Sequence, residues 1–392
     1  MKRLPDPGLA LGLFLAIAPA TAVLQFRAIA PLALAAMAGI VVLGWRRPGF
    51  GSAVWLALTL MLWGAASSLW AVDPGRSLFE GLRMAGLVML AGSAAAALRE
   101  SRLALSPWLL AGLLAGAGLA FTDQASGHAI RAAVRGLAEW DVALGYGLKP
   151  AATVLALLLP LALALPVPMA WRAASLLAVL VAIFSMPAQA AKIGLVAGLV
   201  GFALVKVAGP RAARAMAVAA ALLLLLTPAL LGAVLARGPD LSALQGSAAH
   251  RVLIWDFTLS RIAERPWLGW GMEASRAIPG GRDQIAVADL DRFGLYGQRD
   301  WFEVVRAQRL PLHTHNAPLQ LWLELGAVGA ALGAALVLAL GWRATSPGAA
   351  GAFAAAIAVG SLSYGIWQGW WLCLLALLAL TSRRLSPAPP PR

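Results

Sequence analysis

Apolar runs long enough to cross a bilayer recur along the chain, separated by short polar breaks. They fall at 8–25, 28–45, 50–70, 83–98, 104–121, 143–165, 171–187, 190–207 and 213–235. A single long polar segment, 236–312, interrupts the pattern, and further runs follow at 316–341, 349–366 and 368–381. The pattern predicts an all-α polytopic membrane protein with about 12 transmembrane helices and one large loop. In order, 1–235 carries nine spans, 236–312 the loop, 313–381 three more spans, and 382–392 a proline-rich tail expected to be disordered. The break Tyr364-Gly365-Ile366-Trp367-Gln368-Gly369 reads either as a turn between the last two spans or as a kink within one helix.

Local signals refine the two irregular regions. Met1-Lys2-Arg3, the apolar run to Leu24 and Ala18-Pro19-Ala20 mimic a cleavable secretory signal, but a second run follows at once, so the first is read as a retained span. In the loop, Ser247 is placed to cap a helix that runs to about Glu264 and stops at Arg265-Pro266. Val252, Trp255, Leu259 and Ile262 would share its apolar face, which suits a helix lying on the membrane surface or lidding a cavity. A short helix is expected around Asp300 to Arg306.

Composition agrees with this class, since 61% of residues are hydrophobic and 12% are charged. Charge then orients the chain. Short segments on the side of the termini hold 14 Lys and Arg against 7 on the other side, which places both termini in the cytoplasm and the loop outside. The net charge of +14 suits anionic lipid or an anionic substrate. Basic residues are scattered between spans rather than clustered, which argues against nucleic acid. Cys373 is the only cysteine, so no internal disulfide can form.

Candidate chemistry gathers at His313-Thr314-His315-Asn316, where the loop meets the tenth span. Asn316 can cap that span, leaving His315 just outside a helix N-terminus, where the dipole disfavours imidazolium and keeps the ring able to accept a proton. Two other readings stand beside this one: both histidines as interfacial residues bonded to backbone, or a His-x-His metal pair without an evident third ligand. Asn316, Gln320 and Glu324 recur every four residues and form a polar stripe running roughly 12 Å into the membrane. A carboxylate at that depth faces a cavity or a partner, and a basic residue on a neighbouring helix is one candidate partner. Arg251, opening the loop helix, can fork onto a phosphate. Lys192, at the outer start of the eighth span, either snorkels or meets an anionic head group. Arg83 and Lys149 admit the same two readings. Asp289 and Asp291 read as a solvated charge run, and Gly269-x-Gly271 as a turn rather than a nucleotide loop.

Several of these segments together resemble the O-antigen ligase and polymerase family. His313, His315-Asn316 and then Gly326-Ala327-Val328-Gly329 resemble its His-x-His-Asn block and the Gly-x-x-Gly that follows. Arg251-Val-Leu-Ile-Trp255 and Pro266-Trp-Leu-Gly269-Trp-Gly271 resemble its loop block, and Ser68-Leu-Trp70-Ala-Val-Asp73-Pro74 a weaker block after the third span. The resemblance implies a lipid-dependent membrane glycosyltransferase of the bacterial inner membrane, with its site facing the periplasm. Its donor would be a glycan on undecaprenyl diphosphate, and its acceptor lipid A–core or, in the polymerase branch, another glycan. It implies His315 as base and Arg251 as the diphosphate ligand, with Lys192 beside it and His313, Asn316, Gln320 and Glu324 in support. No cofactor or metal is expected. The chain departs from the family at Ala190-Ala191-Lys192, where many members carry arginine after serine, and at Ala330-Ala331, where ligases often show Thr-Gly. A transporter of lipid-linked sugars is the alternative of another class. Polar chemistry gathered at one face around one loop favours the enzyme.

Overall fold

The computed structural model describes residues 5–45, 49–138 and 140–386. Of the tail expected to be disordered at 382–392, residues 382–385 instead form the last turn of the C-terminal helix, and 387–392 lie outside the described residues, as do the basic residues at positions 2, 3, 46 and 47. Among the described residues the fold is helical, with one isolated bridge, Gln284 to Gln308. In chain order, α1 is Gly8–Gln25, α2 Ile29–Leu43, α3 Ser52–Ala66, α4 Pro74–Ala97 and α5 Ser106–Ala125. Two short helices follow, α6 (Ala129–Arg135) and α7 (Val142–Tyr146). Next come α8 (Lys149–Leu163), α9 (Met169–Ser185), α10 (Gln189–Ala208) and α11 (Pro210–Leu235). The long polar segment holds α12 (Gly246–Glu264), α13 (Val287–Arg292) and α14 (Arg299–Val304). Last are α15 (Ala317–Gly341), α16 (Pro347–Leu362) and α17 (Gly369–Leu385).

A helix therefore stands at each expected run, and the break at 364–369 is a turn between α16 and α17. By length and composition seven helical stretches can cross a membrane: Gly8–Leu43, Ser52–Leu69, Pro74–Glu100, Ala143–Leu163, Gln189–Ala208, Pro210–Leu235 and Ala317–Gly341. The shorter Met169–Ser185 and Pro347–Leu362 are also apolar. This is a multi-pass membrane protein. Helix starts follow local chemistry. The Asp73 carboxylate accepts from Arg76 N–H ahead of Pro74, so α4 begins well before the expected 83. Ser346 and Asn316 accept in the same way from Ala349 and Leu319 N–H.

Small residues set the tightest packing. Gly198 of α10 lies so close to α16 that a Cβ on Gly351 would fall 2.7 Å from its carbonyl oxygen. α8 is buried along nearly its whole length and serves as the central post of the bundle. The ends of α3, α11 and α16 gather with the starts of α4, α8, α15 and α17 at the side from which the polar segment emerges, here called the loop end. The opposite side is the tail end.

Three expectations need correction. Ser247 does not cap α12; the helix starts at Gly246, with Gln245 in the cap position and no side-chain cap. Its buried face is Ala249, Leu253, Ile254, Phe257, Thr258 and Ile262, whereas Val252, Trp255 and Leu259 are only half-buried, because α12 also packs beneath α13 and α14. Asp289 and Asp291 are not simply solvated; they pair with Arg309, at 3.3 Å, and with Arg299.

A further correction concerns α15, expected as one continuous span. It breaks at Gly326, where φ is +63° and ψ is −162°. The segment 266–271 enters the break. Trp270 and Gly271 N–H donate to the carbonyls of Leu323 and Glu324 at 2.9 and 2.8 Å, and Ala327 N–H donates to Pro266 O at 2.8 Å. Trp63 Nε1 reaches Leu325 O at 3.4 Å. Backbone groups freed by the break are thereby satisfied within protein, which is the condition for irregular backbone in an apolar setting. A Cβ on Gly269 would lie 2.5 Å from Glu324 backbone, and one on Gly326 2.3 Å from Trp267 O. The glycines of the two sequence blocks are thus two sides of one backbone contact.

Candidate functional site

The short link 313–316 is built from its own polar atoms. Thr314 Oγ1 donates to Asn316 O at 2.7 Å and accepts from Asn316 N–H, while Asn316 Oδ1 caps α15 through Leu319 N–H at 2.9 Å. His315 sits between them with left-handed backbone, φ +53°. Its N–H donates to His313 Nδ1, and the two rings lie 4.2 Å apart. α12 is tied to this link by Trp255 Nε1, which donates to Thr314 O at 2.9 Å.

His313 is buried, with its Nε2 3.3 Å from the Gln368 side-chain amide. His315 is half-exposed, yet its Nδ1 is buried and without a hydrogen-bond partner among the described residues. Burial, reinforced by the positive charges of Arg276 and Arg251, pushes the His313 imidazole down to about 4. Burial first, then His313, Arg251, His250 and Lys149, holds His315 down at about 2. Both rings are neutral at pH 7. The sequence reading had ascribed this to the helix dipole; the structure adds desolvation and surrounding cations.

Arg251 is half-buried, and one guanidinium nitrogen donates to Leu362 O at the end of α16, 3.2 Å away. Burial lowers its proton affinity. Tyr364, in the turn after α16, lies within the electrostatic reach of Arg251, and its hydroxyl is 2.9 Å from Thr153 Oγ1 on α8. The lysine whose charge weighs on both Arg251's surroundings and His315 is Lys149, at the start of α8. Lys192 instead extends over the Phe184 ring, 5.7 Å from its centroid. Of the two lysines weighed on sequence, Lys149 and not Lys192 is among the charges that act on His315.

Gln320 and Glu324 are both fully buried, and no cation pairs with the carboxylate among the described residues. The expectation of a basic partner is therefore replaced by a bracket of neutral donors. Glu273 N–H donates at 2.8 Å, Gln320 Nε2 at 3.0 Å, and the Ser275 hydroxyl and Trp367 indole also donate. Gln320 Oε1 in turn accepts from Ile366 N–H at 3.0 Å. Gln320 and Glu324 fasten the 273–275 loop and the α16–α17 turn to α15. That turn brings Gly365 and Gln368 to His313, and a Cβ on Gly365 would come within 3.1 Å of the His313 ring. Sequence reasoning missed the turn's role, although Tyr364 and Gln368 between two apolar runs were a legible polar signal.

Among the described residues no group of three His, Cys, Asp or Glu side chains is placed to hold a metal ion. The arrangement offers a neutral, partly exposed imidazole beside an arginine and a lysine, which suits proton abstraction next to a bound anion.

Comparisons with known proteins bear on the region that carries these residues. Residues 174–334 match the family model described as O-antigen ligase. That span includes α10 to α12, the His313–Asn316 link and the Gly326 break. Similar proteins named "Putative polysaccharide ligase" occur in Rickettsia conorii and Rickettsia prowazekii, at 35% and 36% identity over 140 residues. One from Rickettsia bellii is 35% identical over 133 residues. The first two alignments cover 33% of this chain and 30% of the relative, so the chain matches under a third of the length of those relatives.

Proposed function

We propose that the protein is a membrane glycosyltransferase that moves a glycan from undecaprenyl diphosphate onto an acceptor hydroxyl, lipid A–core in the ligase reading, at the loop end of the bundle. The matched family and the relatives' names support glycan transfer. The observation that carries the mechanism is the His315 imidazole, neutral and partly exposed, with Arg251 close enough to depress it.

In this mechanism His315 takes the proton of the acceptor hydroxyl as the oxygen attacks the anomeric carbon. The bond from that carbon to the diphosphate oxygen breaks, and the electron pair leaves with the diphosphate. Single displacement inverts the anomeric centre. The leaving group is already good, so the protein must orient the acceptor and stabilise developing charge. Arg251 forks onto the diphosphate, and Lys149 adds a point charge. Lys192 contributes only if the donor extends to α10. A free imidazole held near 2 is a weak base. An arriving dianion would offset the cations that hold it down and raise its proton affinity, so base strength would appear once the donor is bound. The residues need no cofactor or metal for these steps.

Sidedness follows from the charge bias, which places the loop end outside the cytoplasm and both termini inside. One observation weakens the ligase reading relative to a related branch such as a polymerase: Ala330-Ala331 stands in place of Thr-Gly. The test of the shared chemistry is His315→Ala at equal membrane abundance, with transfer expected to fall by roughly 10²–10⁴-fold. Unchanged transfer would reject the assignment. The glycan profile of a deletion strain separates the branches: long glycan stranded on its carrier for a ligase, a single unit on the acceptor for a polymerase.

A further inference from the structure

A second basic site lies at the tail end, remote from the histidines. A cavity of about 140 Å³ opens between the end of α4 and the end of α17, lined by Ala95, Leu98, Arg99, Leu380, Arg383 and Arg384. Among the described residues its walls hold three guanidinium groups and three apolar side chains, and no carboxylate. Arg99 donates to Gly49 O at 2.9 Å and Arg384 to Leu103 O at 3.4 Å, so backbone carbonyls fix two of the three. A guanidinium has five N–H donors, and Arg384 Nε is buried without a partner among the described residues. Burial and the nearby charges of Arg99 and Arg343 lower Arg383.

The position is at lipid headgroup level. Exposed Trp45, Trp55, Trp171 and Trp342 stand at the ends of α2, α3, α9 and α15 on this same side, as an interfacial belt does. Arg343 links two of these ends through Ser52, at 3.0 Å. Arginines in the last turn of α17 would by themselves complement its dipole. That role requires neither a cavity nor Arg99 from α4. Like charges gathered around a hollow repel one another unless an anion fills it.

We propose that Arg99, Arg383 and Arg384 form a binding site for a phosphate group, with the phosphodiester of an anionic phospholipid as its source. The apolar wall of Ala95, Leu98 and Leu380 would run beside the acyl chains, and the arginines would fork onto the phosphate oxygens.

The full-length protein in nanodiscs of phosphatidylcholine with a minor fraction of cardiolipin tests this, with retained lipid counted by native mass spectrometry. Wild type should keep cardiolipin over phosphatidylcholine. The double variant Arg99→Gln/Arg383→Gln should lower that occupancy by about tenfold or more, from two lost cationic contacts. Arg383→Lys, which keeps charge and fold, should give a smaller drop. Arg211→Gln, an exposed arginine elsewhere on the tail end, should give none. A second arm uses phosphatidylcholine alone with added glycerol phosphate. A thermal shift in wild type that the double variant lacks would assign the site to a soluble phosphate compound instead. Equal cardiolipin occupancy in wild type, the double variant and Arg383→Lys, with no shift from glycerol phosphate, would overturn the proposal.

Discussion

The backbone N–H of His315 donates to Nδ1 of His313, 3.2 Å away. This bond bridges a backbone turn with φ +53° at His315, a conformation uncommon for a side chain of this size. His313 thus acts as the acceptor that holds the proposed base in place. Asparagine can fill the same role, because its side chain bonds the N–H two residues on. His313→Ala should lower transfer by about tenfold, the scale of one lost positioning hydrogen bond, and His313→Asn should restore most of it. Steady-state transfer by purified variants checks this. Equal losses in both would mean that the ring itself takes part in the reaction.

The two depressed imidazoles set a pH dependence. An ordinary histidine protonates near 6.5, whereas His313 is held at about 4 and His315 at about 2. The sign is that of a group kept neutral: the free enzyme retains its unprotonated base well below pH 6. The acid limb of kcat/KM should therefore lie below about pH 5. The limb of kcat should lie higher, because the bound diphosphate raises His315. The same burial contributes stability that is complete above 6.5 and is lost as pH falls toward about 4. A kcat/KM limb at 6.5 would show that the site opens to water before chemistry.

Much of this was legible in the chain. Apolar runs located the long helices because burial in lipid constrains their length, and Asn316 announced its cap. The loop-end cluster was partly legible: His313, His315 and Arg251 lie in recognisable blocks, but Lys149 reaches His315 only because α8 is the central post. The donors to Glu324 come from positions 273, 275, 320 and 367, and no local pattern reports a contact spread so widely along the chain. The Gly326 break was hidden for a similar reason. A single glycine in an apolar run is ordinary, and only the entry of 266–271 makes it a discontinuity.

That entry gives a stability prediction. Gly326→Ala must place a Cβ against Trp267 O at 2.3 Å and hold φ at +63°. The backbone strain alone costs roughly 1–2 kcal/mol, and the clash adds to it unless the inserted segment withdraws. Gly269→Ala meets the same contact from the other side. Both variants should reduce folded protein in the membrane and expose 265–275 to protease. Wild-type protease resistance in Gly326→Ala would show that the segment is not seated in α15.

Arg251→Lys separates charge from geometry. Lysine keeps the positive charge but cannot fork, and it also gives up the 3.2 Å bond to Leu362 O. Donor binding should weaken by about tenfold, seen as a raised KM for the lipid-linked donor. An unchanged KM would remove Arg251 from the diphosphate site.

Glu324 tests whether the buried stripe is a bracket or a charge pair. Its two oxygens accept from Glu273 N–H, Ser275 N–H and Oγ–H, Gln320 Nε2 and Trp367 Nε1. Every hydrogen-bond partner of those oxygens among the described residues is a donor. If Glu324 served to neutralise a cation, Glu324→Gln would be costly only through lost charge. In a bracket of donors the amide is wrong in a different way, since its NH2 points a donor at donors and leaves at least one of them unsatisfied. That costs about 1–3 kcal/mol in a buried setting, and Glu324→Ala, which removes both oxygens, costs more. The effect should reach the site through Trp367, because the same turn carries Gln368 to His313. Glu324→Gln should therefore lower both thermal stability and kcat while leaving donor KM near its wild-type value, since Arg251 is held by α16 rather than by α15. Wild-type stability in Glu324→Gln, measured in the same lipid, would sink the bracket reading.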